Sequence, residues 1–230
     1  MSKIHSVASK LTDYNDPTSF GSRLRAKRVK PLTEMIEAVF AMKGSVEIID
    51  LGGTERYWSI IPSSFLESRK VKITLVNNQE IASVTMNERF LAIRGDACDL
   101  QMFRDNHFDI AHSNSVIEHV GDWHRMRSFA SEMQRVAAKY FCQTPNFWFP
   151  IEPHCMTPFF HWLPRPTRIW LVGNFRLGHW KKGASVDECV RMVESARLLS
   201  KKMMHELFPH ARIVVERFLG LPKSIVVFRH

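Results

Sequence analysis

Apolar residues along this chain switch between two periods, and the switching predicts helices alternating with strands. From Ser19 to Met42, the residues Leu24, Leu32, Ile36, Val39 and Phe40 recur at helical spacing. Pro31 is expected to kink that helix or divide it in two, and Gly44 to end it. Val46–Leu51 is then apolar at nearly every position, as a strand covered on both faces requires. Short apolar runs return at Val71–Val76, Phe90–Ile93, Phe108–His112 and Lys139–Gln143. Helical pattern lies between them at Arg56–Glu67, interrupted by Pro62, and at Asp122–Ala137, where Trp123, Met126, Phe129, Met133 and Val136 mark the apolar positions. It reappears near Val186–Val193 and Ser200–Phe208. The last two strands, Arg212–Phe218 and Ser224–Phe228, are joined by Leu219-Gly220-Leu221-Pro222-Lys223, a link short enough for an antiparallel hairpin. This order predicts an α/β fold: a mostly parallel sheet with helices on both faces.

Length and composition set the frame. A chain of 230 residues, 45% hydrophobic, suits one domain over residues 1–230. Residues 1–17 are polar and are expected to form a loose arm, so that residues 1–43 read as an arm and a cap helix. Residues 147–180 break the rhythm with Phe147, Trp148, Phe149, Pro150, Trp162, Pro164, Pro166 and Trp170 among them. A long irregular segment in a compact domain is usually functional, and an acceptor-side lid is expected there. No uncharged apolar run is long enough to span a bilayer, and the first ten residues lack a signal-peptide core. Cys98, Cys142, Cys155 and Cys189 are scattered without a C-x-x-C pair, which argues against a zinc knuckle or a thioredoxin-type site, and no metal ligand is singled out. Reduced thiols point to a cytoplasmic protein. The net charge of +9 raises nucleic acid as a partner, with basic clusters at Arg23–Lys30, Lys181-Lys182 and Lys201-Lys202, but no zinc-finger or RNA-binding aromatic signature accompanies them.

Candidate chemistry sits at strand ends, where the ligand crevice of such a sheet lies. Asp50-Leu51-Gly52-Gly53-Thr54 follows the first strand. Its adjacent glycines fail the dinucleotide spacing, yet glycine lets a ligand approach the backbone; the alternative is a plain strand–helix turn. Asn77-Asn78 follows the second strand, as a ribose contact or a turn, and Gly95-Asp96-Ala97 follows the third. The fourth opens F-D-I-A-H-S-N-S-V-I-E-H-V, residues 108–120. The fifth opens T-P-N-F-W-F-P-I-E-P-H, residues 144–154, in which Glu152 and His154 are candidate bases, with His161 beyond. A polar hinge that fixes an aromatic lid is the alternative for this last stretch.

In this order the motifs of roughly residues 44–146 resemble class I methyltransferases that use S-adenosylmethionine, in their small-molecule branch. The resemblance implies a Rossmann-like, doubly wound sheet of seven strands, S-adenosyl-L-methionine as cofactor and S-adenosyl-L-homocysteine as product. It implies that Asp50, Gly52 and Gly53 flank the methionine end of the cofactor. Asn77 and Asn78 would take the ribose, where the family carries an acid, and Asp96 and Ala97 the adenine. Ser113 and Asn114 would floor the sulfonium, with His119 near the methionine tail or the acceptor. Residues 144–154 resemble a signature of a bacterial subset; His154 and Glu152 within it, with His119 of the fourth-strand motif, are the candidate catalytic residues. The helix at Arg23–Lys30 either caps the cofactor pocket or presents a solvated basic face.

The acceptor is expected to be a small molecule, a sugar or a lipid-linked glycan precursor, through O- or N-methylation. Ser113-Asn114-Ser115-Val116 departs from the motif of adenine-N6 and cytosine-N4 enzymes, and no cysteine has the setting that cytosine-C5 chemistry needs. Two alternatives stand beside this reading: an RNA methyltransferase, motivated by the charge, and a binding protein that keeps the fold without catalysis, motivated by the irregular glycines and Asn77-Asn78.

Overall fold

Seven strands form one sheet in the order β3-β2-β1-β4-β5-β9-β8. The structure is a computed structural model, and it describes residues 20–78 and 88–230, with side chains from residue 28 onward in the first helix. The expected arm and the side chains of Arg23, Arg25 and Lys27 lie outside the described residues. The strands are β1 (Val46–Leu51), β2 (Val71–Asn77), β3 (Phe90–Arg94), β4 (Ile110–Asn114), β5 (Lys139–Pro145), β8 (Arg212–Phe218) and β9 (Leu221–Arg229). β1 to β5 pair in parallel; β9 runs antiparallel to both β5 and β8. This is the expected doubly wound sheet with its terminal hairpin.

Alternation along the strands explains the layers, because successive side chains point to opposite faces. Ile49, Leu51, Tyr140, Cys142, Ile225 and Val227 share one buried cluster with helices α4 (Trp123–Val136) and α7 (Lys201–Leu207). Val46, Ile48, Phe141, Val226 and Phe228 share the other with α1 (Phe20–Lys43), α2 (Glu55–Trp58) and α3 (Ser63–Ser68). In α4 the buried residues Met126, Phe129, Ala130, Met133 and Val136 fall on one face, and the Asp122 carboxylate caps its start by accepting the Arg125 N–H at 2.9 Å.

Several elements differ from the sequence expectation. α1 runs through Pro31 undivided, because Val29, Leu32, Met35, Ile36 and Val39 on both sides of it are held against the sheet. The single helix expected over Arg56–Glu67 is two short ones, since Pro62 stands in extended backbone at the start of the second. β4 begins at Ile110 rather than Phe108 and runs past His112 to carry Ser113 and Asn114 into the sheet, where apolar pattern stops short of them. The last hairpin turns on Leu219 and Gly220 alone, at φ +50° and +81°, so Pro222 and Lys223 belong to β9.

Residues 147–180 are ordered rather than irregular. They hold a ribbon of β6 (Ile151–Glu152) and β7 (Thr157–Pro158), a 3-10 turn at Phe160–Trp162, and helix α5 (Arg165–Asn174). Pro164 and Pro166 mark the start of α5, where a missing N–H costs nothing. Packed with α6 (Val186–Glu194), the segment has a small core of its own: Cys155, Phe160, Val172, Cys189 and Val193.

Phe129 is fully buried at the centre of the α4 face. Phe129→Ala is expected to destabilise the protein by about 3–5 kcal/mol, against less than about 0.5 kcal/mol for the exposed Arg127→Ala. Urea denaturation of both variants checks this.

Candidate active site

The parallel register sets Asp50 of β1 opposite His112 of β4, which puts both side chains on one face of the sheet. Both are fully buried. Asp50 Oδ1 lies 2.7 Å from His112 Nδ1, and Oδ2 accepts the indole N–H of Trp58 at 2.8 Å. The His112 ring stacks on Phe141, with Tyr57 and Trp58 against its other contacts. The carboxylate therefore ties β1, β4 and α2 together beneath the turn at Gly52-Gly53. A Cβ on Gly53 would fall 1.8 Å from Asp50 Oδ2, and one on Gly52 would fall 2.6 Å from Val116. Gly52 also needs its φ of +73° to send its N–H to the Val76 carbonyl at 2.8 Å.

Above this turn lies a cavity of about 350 Å³, lined by Arg28, Gly52, Gly53, Tyr57, His112 and Asn114 among others. Arg28 reaches down from α1 and pairs with Glu216 of β8, its Nε 2.9 Å from both carboxylate oxygens. Its Nη1 lies 3.5 Å from Asn114 Oδ1. Tyr57 Oη and His112 Nε2 are buried without a hydrogen-bond partner. Burial above all, and the Asp50 charge next, push the Tyr57 phenol well above its ordinary pKa.

The neighbouring strand ends hold their polar groups in internal bonds. Asn77 Nδ2 donates to the Gly53 carbonyl at 2.9 Å, while Asn78 is exposed. Asp96 is bridged on both oxygens by Arg125 Nη2, at 2.9 and 2.8 Å, and accepts the Cys98 N–H at 2.9 Å. Burial raises the Asp96 pKa, but these donors outweigh it and hold the carboxyl below its usual range. Ala97 packs on the core, and Ser113 Oγ is buried and donates to the Leu51 carbonyl at 3.0 Å.

A second cluster gathers where the 3-10 turn Ile117–His119 meets the ribbon. His154 Nε2 lies 3.1 Å from His119 Nε2. His154 Nδ1 is 2.7 Å from Glu152 Oε1, whose other oxygen accepts the N–H groups of His154 and Cys155. His119 Nδ1 is 2.7 Å from the Ser195 carbonyl. Glu118 is buried: Oε2 accepts the Thr144 hydroxyl at 2.9 Å, and Oε1 has no partner. Burial pushes the Glu118 carboxyl up to about 7, with the Thr144 bond working the other way. Burial also lowers His119. For His154 burial acts downward, but the Glu152 carboxylate more than offsets it and raises the pKa. His154 lines a cavity of about 460 Å³ with His161, Arg165, Arg168 and Trp180.

Residues 53–139, from the glycine turn to the first residue of β5, match the family described as the methyltransferase domain. Over those residues the chain is similar to methyltransferase domains. The strand order of the whole sheet agrees with it, and three solved structures share the fold. One is the 1,6-didemethyltoxoflavin-N1-methyltransferase of Burkholderia thailandensis, bound to its substrate and S-adenosylhomocysteine: 13% identical, covering 98% of this chain and 84% of that one, TM-score 0.50. A SAM-dependent methyltransferase of Archaeoglobus fulgidus is 12% identical over 85% of this chain and 93% of its own, TM-score 0.50. A Rhodobacter sphaeroides protein named as a zinc-dependent alcohol dehydrogenase matches as well, 13% identical over 89% and 96%, TM-score 0.51. At these identities the likeness is one of fold. No curated protein matches the sequence.

S-adenosylmethionine is the cofactor of this domain type, and the chain's residues fit its methionine end. The cavity offers a cationic Arg28, the Asn114 amide and two unpartnered polar atoms beside a turn with no side chain in the way. The structure brings Gly52, Gly53 and Asn114 to this cavity, with Asp50 beneath them, and gathers His119, Glu152 and His154 in the second cluster. It does not bring Asn77, Asn78, Asp96, Ala97 or Ser113 into the lining of either cavity. His161 faces the second one, but its Nε2 is bound to the Phe147 carbonyl at 2.8 Å.

Sequence reasoning missed His112, Tyr57 and Glu118. His112 and Glu118 stand inside the motif that was recognised, yet their burial depends on strand register and the fold of residues 147–199. Gly53→Ala is expected to cost about 1–3 kcal/mol through overpacking against Asp50, measurable as a lower midpoint in denaturant, and to weaken binding of S-adenosylhomocysteine in the same preparation.

Proposed function

We propose that the protein transfers the methyl group of S-adenosylmethionine to the oxygen or nitrogen of a small-molecule, sugar or lipid-linked acceptor in the cytoplasm. The observation that carries the reading is the meeting, at the carboxyl edge of one sheet, of a side-chain-free turn over a buried Asp50 and a separate histidine-lined cleft. The first suits a cofactor's methionine end and the second an acceptor. When bound, the cofactor supplies an electrophilic methyl group. Arg28 and Asn114 would hold its carboxylate and ammonium end, and Tyr57 and His112 offer the remaining polar contacts.

On the acceptor side, holding the two reactants in line supplies much of the acceleration. A hydroxyl or ammonium acceptor must also lose a proton. The His119–His154 pair stands where that proton can be received, with Glu152 orienting His154 from behind. Glu152 itself is a positioning residue, since both of its oxygens are taken. Arg168 lines the same cleft with its Nε buried and unpartnered, which favours an acceptor bearing an anionic group. Phe147, Phe160 and Trp180 of the folded segment 147–180 supply the aromatic wall of the cleft. Among the described residues, no helix is long and apolar enough to cross a membrane.

Isothermal titration with S-adenosylmethionine and S-adenosylhomocysteine tests the cofactor; heat from neither would overturn the reading. Arg28→Ala, which removes the cation lining the cavity over the glycine turn, is expected to weaken that binding. His154→Ala is expected to leave it intact while lowering turnover about 10²- to 10⁴-fold once an acceptor is found by metabolite profiling of a deletion strain.

A further inference from the structure

The hydrogen bonds around His119 and His154 determine which ring nitrogens are free. The Ser195 carbonyl can only accept, so His119 Nδ1 carries the proton of that bond. Glu152 accepts two backbone N–H groups on one oxygen and faces His154 Nδ1 with the other, so His154 Nδ1 is also the donor. In the neutral rings both Nε2 atoms are then bare lone pairs, and they point at each other across 3.1 Å. Two lone pairs at that distance repel unless a cation lies between them.

A single proton would relieve that repulsion, but it would not address Glu118. Its Oε1 is buried without a partner, and it belongs to the same group: one atom each from Glu118, His119 and His154 lies within 4.8 Å of the others. An ion satisfies all three at once. Two imidazole nitrogens about 2.0–2.1 Å from one tetrahedral ion stand about 3.3 Å apart, close to the spacing seen here. The carboxylate and carbonyl behind the two Nδ1 atoms are the outer partners that metal-binding histidines usually have.

We propose that Glu118, His119 and His154 bind a divalent transition-metal ion, of which zinc is the representative, through Glu118 Oε1 and the two Nε2 atoms. Two histidines and one carboxylate leave a coordination position open for a water or an acceptor oxygen. The cavity lined by His154, Arg165 and Arg168 is where that oxygen enters. A hydroxyl held there loses its proton to solvent near neutral pH, so with the ion bound the two imidazoles serve as ligands in place of the proton-accepting role given to them above. The site stands whether or not methyl transfer is the reaction.

The test is zinc titration of chelator-stripped protein, read by calorimetry and by the imidazole nitrogen resonances. One ion per chain is expected, with the Nε2 signals of His119 and His154 moving together. His119→Ala and His154→Ala should each weaken zinc binding at least 100-fold, and Glu118→Gln and Glu152→Gln about 10- to 100-fold. His205→Ala, on the exposed part of α7, should leave it unchanged. Millimolar or absent binding, Nε2 signals that do not shift, or zinc affinity retained in the His119/His154 double variant would each overturn the proposal and leave a shared proton between the rings. Titration with S-adenosylhomocysteine on the same samples separates this outcome from failure of the methyltransferase reading.

Discussion

The buried carboxylate of Asp50 is the constraint on which the cavity over the glycine turn depends. A carboxylate removed from water must be surrounded by donors, and here Trp58 and His112 are brought to it from two other elements. Those bonds fix α2 against the end of β1 and select the ring orientation of His112. They also leave so little room above Oδ2 that only glycine can follow at Gly53. The open turn, the buried Tyr57 hydroxyl and the free His112 Nε2 all follow from that one placement. Removing either donor would leave an unsatisfied partner in the core, at about 1–3 kcal/mol.

The histidine-lined cleft is built on a different principle. Residues 195–199 bridge two separate pieces of chain. The Arg197 N–H donates to the Glu118 carbonyl at 2.7 Å, the Ser195 carbonyl holds His119, and the Leu199 carbonyl accepts the Phe147 N–H at 2.9 Å. The satellite core around Cys155 and Phe160 then holds the ribbon that carries Glu152 and His154. A short 3-10 turn after β4 and a two-residue ribbon strand are marginal elements alone. Joined by these bonds, they set two imidazoles at a fixed separation beside a buried acid.

The parts of the fold that were legible in the sequence are those with a strong hydrophobic period. β1 and the α4 face were read almost residue by residue, because a doubly covered strand and an amphipathic helix leave unmistakable patterns. β4 was misplaced by two residues, since its buried end is polar and no apolar rule finds it. The segment after β5 was read as irregular, because its prolines and aromatics hide a helix start and a ribbon. Gly52, Gly53 and Asp50 were singled out from motif order. The role of Asp50 as the hub of a buried hydrogen-bond set was not, since Trp58 and His112 lie in other elements.

The sequence by itself determined the alternation of strands and helices, the antiparallel ending and the strand ends at which chemistry would gather. These depend on local period and on turn residues that act within a few positions. Only the tertiary structure decided which polar residues are buried and which meet. His119 and His154 are 35 residues apart and have no ligand spacing in the sequence, yet they face each other at 3.1 Å. Strand register, the return of residues 195–199 and the small core behind the ribbon place them there. None of these is a local property, because each depends on which surfaces the chain must bury together.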